Sequence, residues 1–175
     1  MLTLSCASVA TAGTLAGVTL PDRVDVGAQS LVLNGLGLRE VIVVDVYVAG
    51  LYLPQKTRDA AQAINQDVPK RLHLHFVRDV GVQDLRDSTL EAIEKNPSVA
   101  GDVRPHIGAL NGAMETVRDG DDVVFEYVPG QGTTVSVKGK VKATIPGVAF
   151  MRGLWTLYLG QAPPTGALKK GLLGG

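Results

Sequence analysis

The chain has 175 residues, one domain's length and enough to bury a sizeable core. Its 17 Lys and Arg balance 17 Asp and Glu, so net charge draws it neither to nucleic acid nor to an acidic membrane, and neither partner is expected. With 45% hydrophobic residues it is globular rather than disordered, no charge-free apolar run reaches the roughly 20 residues of a membrane span, and one cysteine, Cys6, excludes an internal disulfide or a cysteine-cluster metal site.

In chain order, residues 1–17 read as a leader. The stretch MLTLSCASVATAGTLA is small and apolar, with A-x-A-like choices near Ala7 to Ala12. It resembles the tail of a secretory signal without the basic start, which points to a periplasmic or secreted protein; a disordered or strand-forming leader on a cytoplasmic one is the alternative. A single domain over residues 18–175 follows. Val18 to Leu20, Pro21-Asp22, Val24 to Val26 and Gly27 to Ser30 read as a short strand, a turn and a hairpin into the run Leu31 to Pro54. From Val41 to Leu53 that run is apolar on both faces and charged only at Asp45, so it reads as one central strand with Arg39, Val41, Val43, Asp45 and Tyr47 on a common face.

Pro54 stops the strand, Thr57 can cap a short helix over Arg58 to Ile64, and Arg71 to Arg78 alternates cleanly, with Leu72, Leu74 and Phe76 inward and Arg71, His73 and His75 outward. Helical spacing follows over Val82 to Lys95, and again over Val103, Ile107, Leu110, Met114 and Val117. Val123 to Val128, Thr133 to Val137 and Lys140 to Ile145 form a meander divided by Gly-rich turns. Val148 to Leu159 is apolar nearly all round and reads as a buried helix, and a short helix from about Pro164 to Leu173 closes the chain. Strands, helices, strands and helices in this order make an α+β domain in which helices cover one face of an antiparallel sheet.

Most chemistries find no support in the residues. Gly35-Leu36-Gly37-Leu38 is followed by a strand rather than a helix, so the glycines shape a turn or bulge and do not cradle a dinucleotide. His73 and His75 stand about 6 to 7 Å apart on one strand face. No third ligand is evident beside them, although His106 exists, so no metal site is expected. No nucleophile elbow is present, and the carboxylates fall where helix caps and turns use them. Arg39, Asp45 and Tyr47 remain. A guanidinium fork with a phenol beside it suits a carboxylate at the end of an apolar pocket, and a structural arginine with a core tyrosine fits the same residues.

The segments LNGLGLRE, VYVAGLYLPQK, LHFVRDV, YVPGQGTTVSVKGK, TIPG and LYLGQAPPTGALKKGLLG together resemble, in order, the bacterial chalcone isomerase-like proteins over nearly the whole chain after about Val18. The resemblance implies an open-faced β-sandwich, a large antiparallel sheet covered by a layer of helices. Arg39, after Gly35-Leu36-Gly37-Leu38, matches the arginine of the plant isomerases. Their threonine position falls on Tyr47, the helix Val82 to Lys95 has no tyrosine, and the late helix offers Leu157 where they carry a hydroxyl or amide. Without those donors the cyclising substrate is poorly oriented, so no catalytic residue is assigned.

The arginine and tyrosine pair instead resembles the fatty-acid-binding relatives of the fold, in which such a pair holds the carboxylate. Eight residues of straight strand would separate Arg39 from Tyr47 by about 26 Å, so the chain must bend or bulge near Glu40. The resulting expectation is non-catalytic binding of a long apolar carboxylate at Arg39 and Tyr47, with Met151, Trp155 and Tyr158 as apolar walls and no cofactor. Isomerase-type intramolecular lyase activity and a structural or partner-binding role are the alternatives. Asp45 would repel an incoming carboxylate unless paired or facing water. The oligomeric state is left open.

Overall fold

A computed structural model describes residues 12–175. The signal-like stretch before Ala12, with Cys6, lies outside the described residues. From Ala12 on, the expected leader is strand: β1 (Ala12–Leu15) turns at Ala16-Gly17 and pairs antiparallel with β2 (Val18–Pro21).

The sheet that organises the fold has seven antiparallel strands that are neighbours in chain order, namely β3 (Arg23–Val26), β4 (Gln29–Val41), β5 (Val44–Leu53), β6 (Lys70–Phe76), β7 (Asp122–Val128), β8 (Gly132–Val137) and β9 (Lys140–Ile145). Between β5 and β6 lies α1 (Ala60–Asn65); between β6 and β7 lie α2 (Val82–Lys95), α3 (Ala100–Val103) and α4 (Ile107–Ala113); α5 (Val148–Leu159) and α6 (Gly166–Leu172) follow β9. The expected helix bounds hold to the residue for α2 and α5, and the strand bounds for β9. The helix expected from Val103 to Val117 is broken instead. A single turn of tighter helix, Arg104–His106, carries Pro105 at its second position, α4 runs only from Ile107 to Ala113, and Val117 pairs with Val80 as an isolated bridge. Asp59, not Thr57, caps α1: its carboxylate accepts from the amides of Ala61 and Gln62, while the Thr57 hydroxyl accepts from the Asp59 amide.

The principal correction concerns the expected central strand. The run Val41 to Leu53 is two antiparallel strands joined by a two-residue turn at Ile42-Val43, and Ile42 has a φ of 61°. The sequence hides this turn because both turn residues are β-branched, where glycine or asparagine would ordinarily mark a left-handed position. Ile42 is 90% exposed and Val43 83%, so the apolar tip stands in solvent and takes no part in the core.

Alternation sorts the sheet faces. Ala49, Leu51, Leu53, Leu72, Leu74, Phe76, Phe125 and Val135 point toward the helices and form the main core with Ile93, Leu110, Phe150, Leu154 and Trp155. On the opposite face the β1–β2 hairpin covers part of β4 and β5 through Val18, Leu20 and Val48. Over β6 to β8 that face is polar, with Arg71, His73, His75, Asp122, Glu126 and Thr134.

Two glycines on β4 decide how α6 sits. Gly35 and Gly37 face the helix layer, and a Cβ on either would lie 2.2 Å from the Gly171 carbonyl oxygen or 2.4 Å from that of Leu168. A Cβ on Gly171 would lie 2.3 Å from the Leu36 carbonyl oxygen. Strand and helix backbones therefore touch, which no other residue type permits at these positions. Buried Asn34, at a bulge in β4, fastens the joint by donating to the Leu172 carbonyl at 2.7 Å and accepting from the Thr57 amide at 2.7 Å.

Candidate functional site

Gly35, Gly37 and Arg39 are successive helix-facing positions of β4. Where the glycines end, α6 ends too, and the Arg39 side chain rises at the N-terminal edge of that helix. Its Nη1 donates to the Pro164 carbonyl at 2.7 Å, tying the strand to the α5–α6 linker. Because β4 and β5 are a hairpin, Tyr47 is the direct cross-strand partner of Arg39. The separation of about 26 Å expected of a straight strand collapses to one pair spacing, roughly 5 Å. A register shift after Arg39 leaves Val46 as the extra residue of a bulge, so Val46 and Tyr47 both turn toward the helices.

The two residues stand at one end of a cavity of about 170 Å³ between the sheet and α2, α4 and α5. Leu74, Phe76, Val123 and Phe125 floor it, Leu154, Leu157 and Tyr158 wall it from α5, and α2 contributes Leu85, Thr89 and Ala92. At its open end Arg39, Glu91, Lys95 and the Pro163-Pro164 linker meet. Lys95 donates to Glu91 at 2.5 Å across one turn of α2, so the acid at the mouth already has a cation. A cavity of about 150 Å³ lined by aliphatic and aromatic groups accepts a guest the size of benzene. This one therefore has room for a ring or a short chain as it stands, and anything longer would have to reach out of the mouth or part the walls.

Two phenols face this space. Burial holds the Tyr47 hydroxyl well above the ordinary tyrosine range, the neighbouring Tyr158 adds to the shift, and the Arg39 charge partly offsets it. Burial raises Tyr158 likewise. Both are neutral at physiological pH and can donate a hydrogen bond to an anion beside the guanidinium. The Tyr47 ring is fixed edge-on to Phe76, with centroids 5.4 Å apart, so the hydroxyl is aimed by packing.

Of the residues expected at the site, Arg39, Tyr47 and Tyr158 come together here. Met151 and Trp155 do not. Both are wholly buried in the core outside the cavity, and the Trp155 ring lies 5.9 Å from the Lys70 ammonium. A helix apolar all round gives no signal of which stripe faces a void and which faces packed side chains. Asp45, expected on the face of Tyr47, is exposed beside the hairpin tip and lines no part of the cavity, which answers the concern that it would repel a carboxylate. Leu157 lines the cavity, and α2 offers it Ser88 and Thr89 but no tyrosine or asparagine. Missed in the sequence were the floor residues of β7 and the mouth pair Glu91 and Lys95. An acid and a base four residues apart on a helix carry no sequence signal beyond that of an ordinary exposed pair.

No helix among the described residues is long and apolar enough to cross a membrane. No curated protein matches the sequence. Among solved structures, the crystal structure of a fatty-acid binding protein of Arabidopsis thaliana superposes with a TM-score of 0.75 over 93% of this chain and 96% of that one, at 15% identity. A likeness at that identity speaks for the fold, and the α+β open-faced sandwich expected from the sequence is the fold found. The sequence itself matches the chalcone isomerase-like family over residues 12–174, nearly everything described. On that match the chain belongs to the chalcone isomerase-like family.

Proposed function

We propose that the protein binds an apolar carboxylate without transforming it, the carboxylate at Arg39 with Tyr47 and Tyr158 and the hydrocarbon in the cavity beyond them. The observation that carries this reading is Arg39 and two neutral phenols, Tyr47 and Tyr158, on the wall of a mainly apolar space whose other charged residues, Glu91 and Lys95, are paired with each other at the mouth. Such a space rewards an amphiphile with one anionic end, since each apolar group buried gains about 25 cal/mol per Å² and a hydrogen bond to a charged group about 1.5 to 3 kcal/mol. A structural neighbour that is a fatty-acid binding protein is consistent with it.

The test is calorimetric titration of the purified protein with decanoate and with decanol, beside native mass spectrometry of protein taken directly from cells. Tyr47→Phe removes one donor and keeps the ring packed on Phe76; it should weaken decanoate binding about 5- to 10-fold and leave decanol almost unchanged. Arg39→Gln should weaken it at least 10-fold. Equal affinity for acid and alcohol, or a protein that is empty from cells and ignores both, would refute the proposal. Turnover of a chalcone that vanishes in Arg39→Gln would favour the isomerase reading instead.

A further inference from the structure

On the sheet face away from the cavity, two histidines and an aspartate converge. His75 on β6 is the direct cross-strand partner of Asp122 on β7, and His73 lies two residues earlier on the same face. His73 Nε2 and His75 Nδ1 each stand 2.8 Å from the same carboxylate oxygen, Asp122 Oδ1, and the three ligand atoms all lie within 4.8 Å of one another. The third ligand that the His-x-His spacing lacked is thus supplied by the neighbouring strand. His106 plays no part.

We propose that His73, His75 and Asp122 form a binding site for a divalent transition-metal ion of the zinc type. The donor set is two imidazoles and one carboxylate, which suits zinc, cobalt, nickel or iron, whereas calcium and magnesium prefer oxygen alone. Donor atoms on a tetrahedral ion with bonds of about 2.0 to 2.2 Å stand roughly 3.3 to 3.5 Å apart, so each imidazole must open from the carboxylate oxygen by about 0.6 Å, while the two ring nitrogens, within 4.8 Å of each other, need close by no more than about 1.4 Å, which side-chain rotations supply. The backbones are already placed, because β6 and β7 are interior strands of a seven-stranded sheet. His73 is nearly buried while His75 and Asp122 are partly exposed, which leaves a solvent-side path and at least one coordination position for water or a small ligand.

One neighbour resists the ion. Arg71 Nη2 approaches His73 Nδ1 at 3.5 Å, and Nδ1 must carry the ring proton once Nε2 holds a metal. The guanidinium then leans toward Glu126 Oε1, with which it already pairs at 3.1 Å. The arginine charge lowers the affinity without blocking the site. Because the cluster lies across the sheet from the cavity, its occupancy and ligand binding there can succeed or fail independently.

The experiment uses the full chain without an affinity tag, stripped with a chelator and titrated with Co²⁺ by visible absorption and with Zn²⁺ by calorimetry. One equivalent of each should bind, with d–d bands in the visible region and a higher melting temperature. His75→Ala and Asp122→Ala should each weaken binding at least 100-fold, while His106→Ala and Cys6→Ser should bind as the parent does. The His73→Gln, His75→Gln double variant keeps polar side chains in place should either alanine variant fold poorly. No uptake at millimolar Co²⁺, uptake that survives loss of His75 and Asp122, or uptake lost with His106 or Cys6 would overturn the assignment.

Discussion

Leu157 offers the sharpest test of where the hydrocarbon goes. It is 3% exposed and its side chain walls the cavity of about 170 Å³ from α5. For straight-chain acids the parent protein should gain about 0.8 kcal/mol per methylene, close to fourfold in affinity, until the cavity is full and the series levels off. Leu157→Ala removes three carbon atoms from the wall. The same ligand series should then climb for about three further carbons, ending roughly 2.4 kcal/mol or about fifty-fold tighter than the parent's plateau. The variant should also lose about 2 to 3 kcal/mol of stability, the low end for such truncations because the side chain already borders a void. Calorimetry across even-numbered acids from butanoate to hexadecanoate, with thermal unfolding of both proteins, supplies both numbers. A plateau that stays at the same chain length in a folded but destabilised Leu157→Ala protein would show that the chain does not lie against α5, and the reasoning would fail.

Two further outcomes follow from groups outside the cavity. Lys70 is fully buried, donating to the carbonyls of Ala63 at 2.7 Å and Ile64 at 3.3 Å, and burial, with the Arg152 charge adding and Asp67 opposing, brings its ammonium down from an ordinary 10.5 to about 8. Between those values the unfolded chain holds the proton that the folded one has lost, so unfolding free energy should rise with pH from about 8 upward, by at most about 3 kcal/mol; urea unfolding from pH 7 to 9.5 should show the slope in the parent and not in Lys70→Met. Ile42, left-handed at the hairpin tip and in contact with solvent, costs on the order of 1 to 2 kcal/mol in backbone strain, part of which a glycine would lose again to chain entropy. Ile42→Gly should therefore unfold about 0.5 to 1 kcal/mol later in urea, and an unchanged or lower midpoint would contradict the strain.

Much of the fold was readable because local and global signals agree. The face of α2, the apolar run of α5 and the alternation in β6 each have one period and one reading. The hairpin of β4 and β5 was not readable, since four aliphatic residues from Val41 to Val44 carry no turn chemistry and look like unbroken strand. That misreading set Arg39 and Tyr47 far apart along a line when they are paired across one. The partnership of His73 and His75 with Asp122 was hidden for a different reason. Forty-seven residues separate Asp122 from His75, and register between strands that distant is fixed by the whole sheet rather than by either segment.

The contact of bare backbone between β4 and α6 bears on how a larger guest could be admitted. With carbonyl oxygens seated where Cβ atoms would be, that flank has no side chain that can rotate aside, and Asn34 and Arg39 bolt both ends of it to the strand. Across the mouth, α2 buries only Ile93 completely and is tied to its neighbours through side chains, Arg86 donating to the Asn111 carbonyl and Asn96, just past its end, to that of Ala162. The glycine seam, which reaches the mouth at Arg39 and Pro164, is thus its unyielding jamb, and the side formed by α2, joined through side chains that can rotate, is the one with room to give.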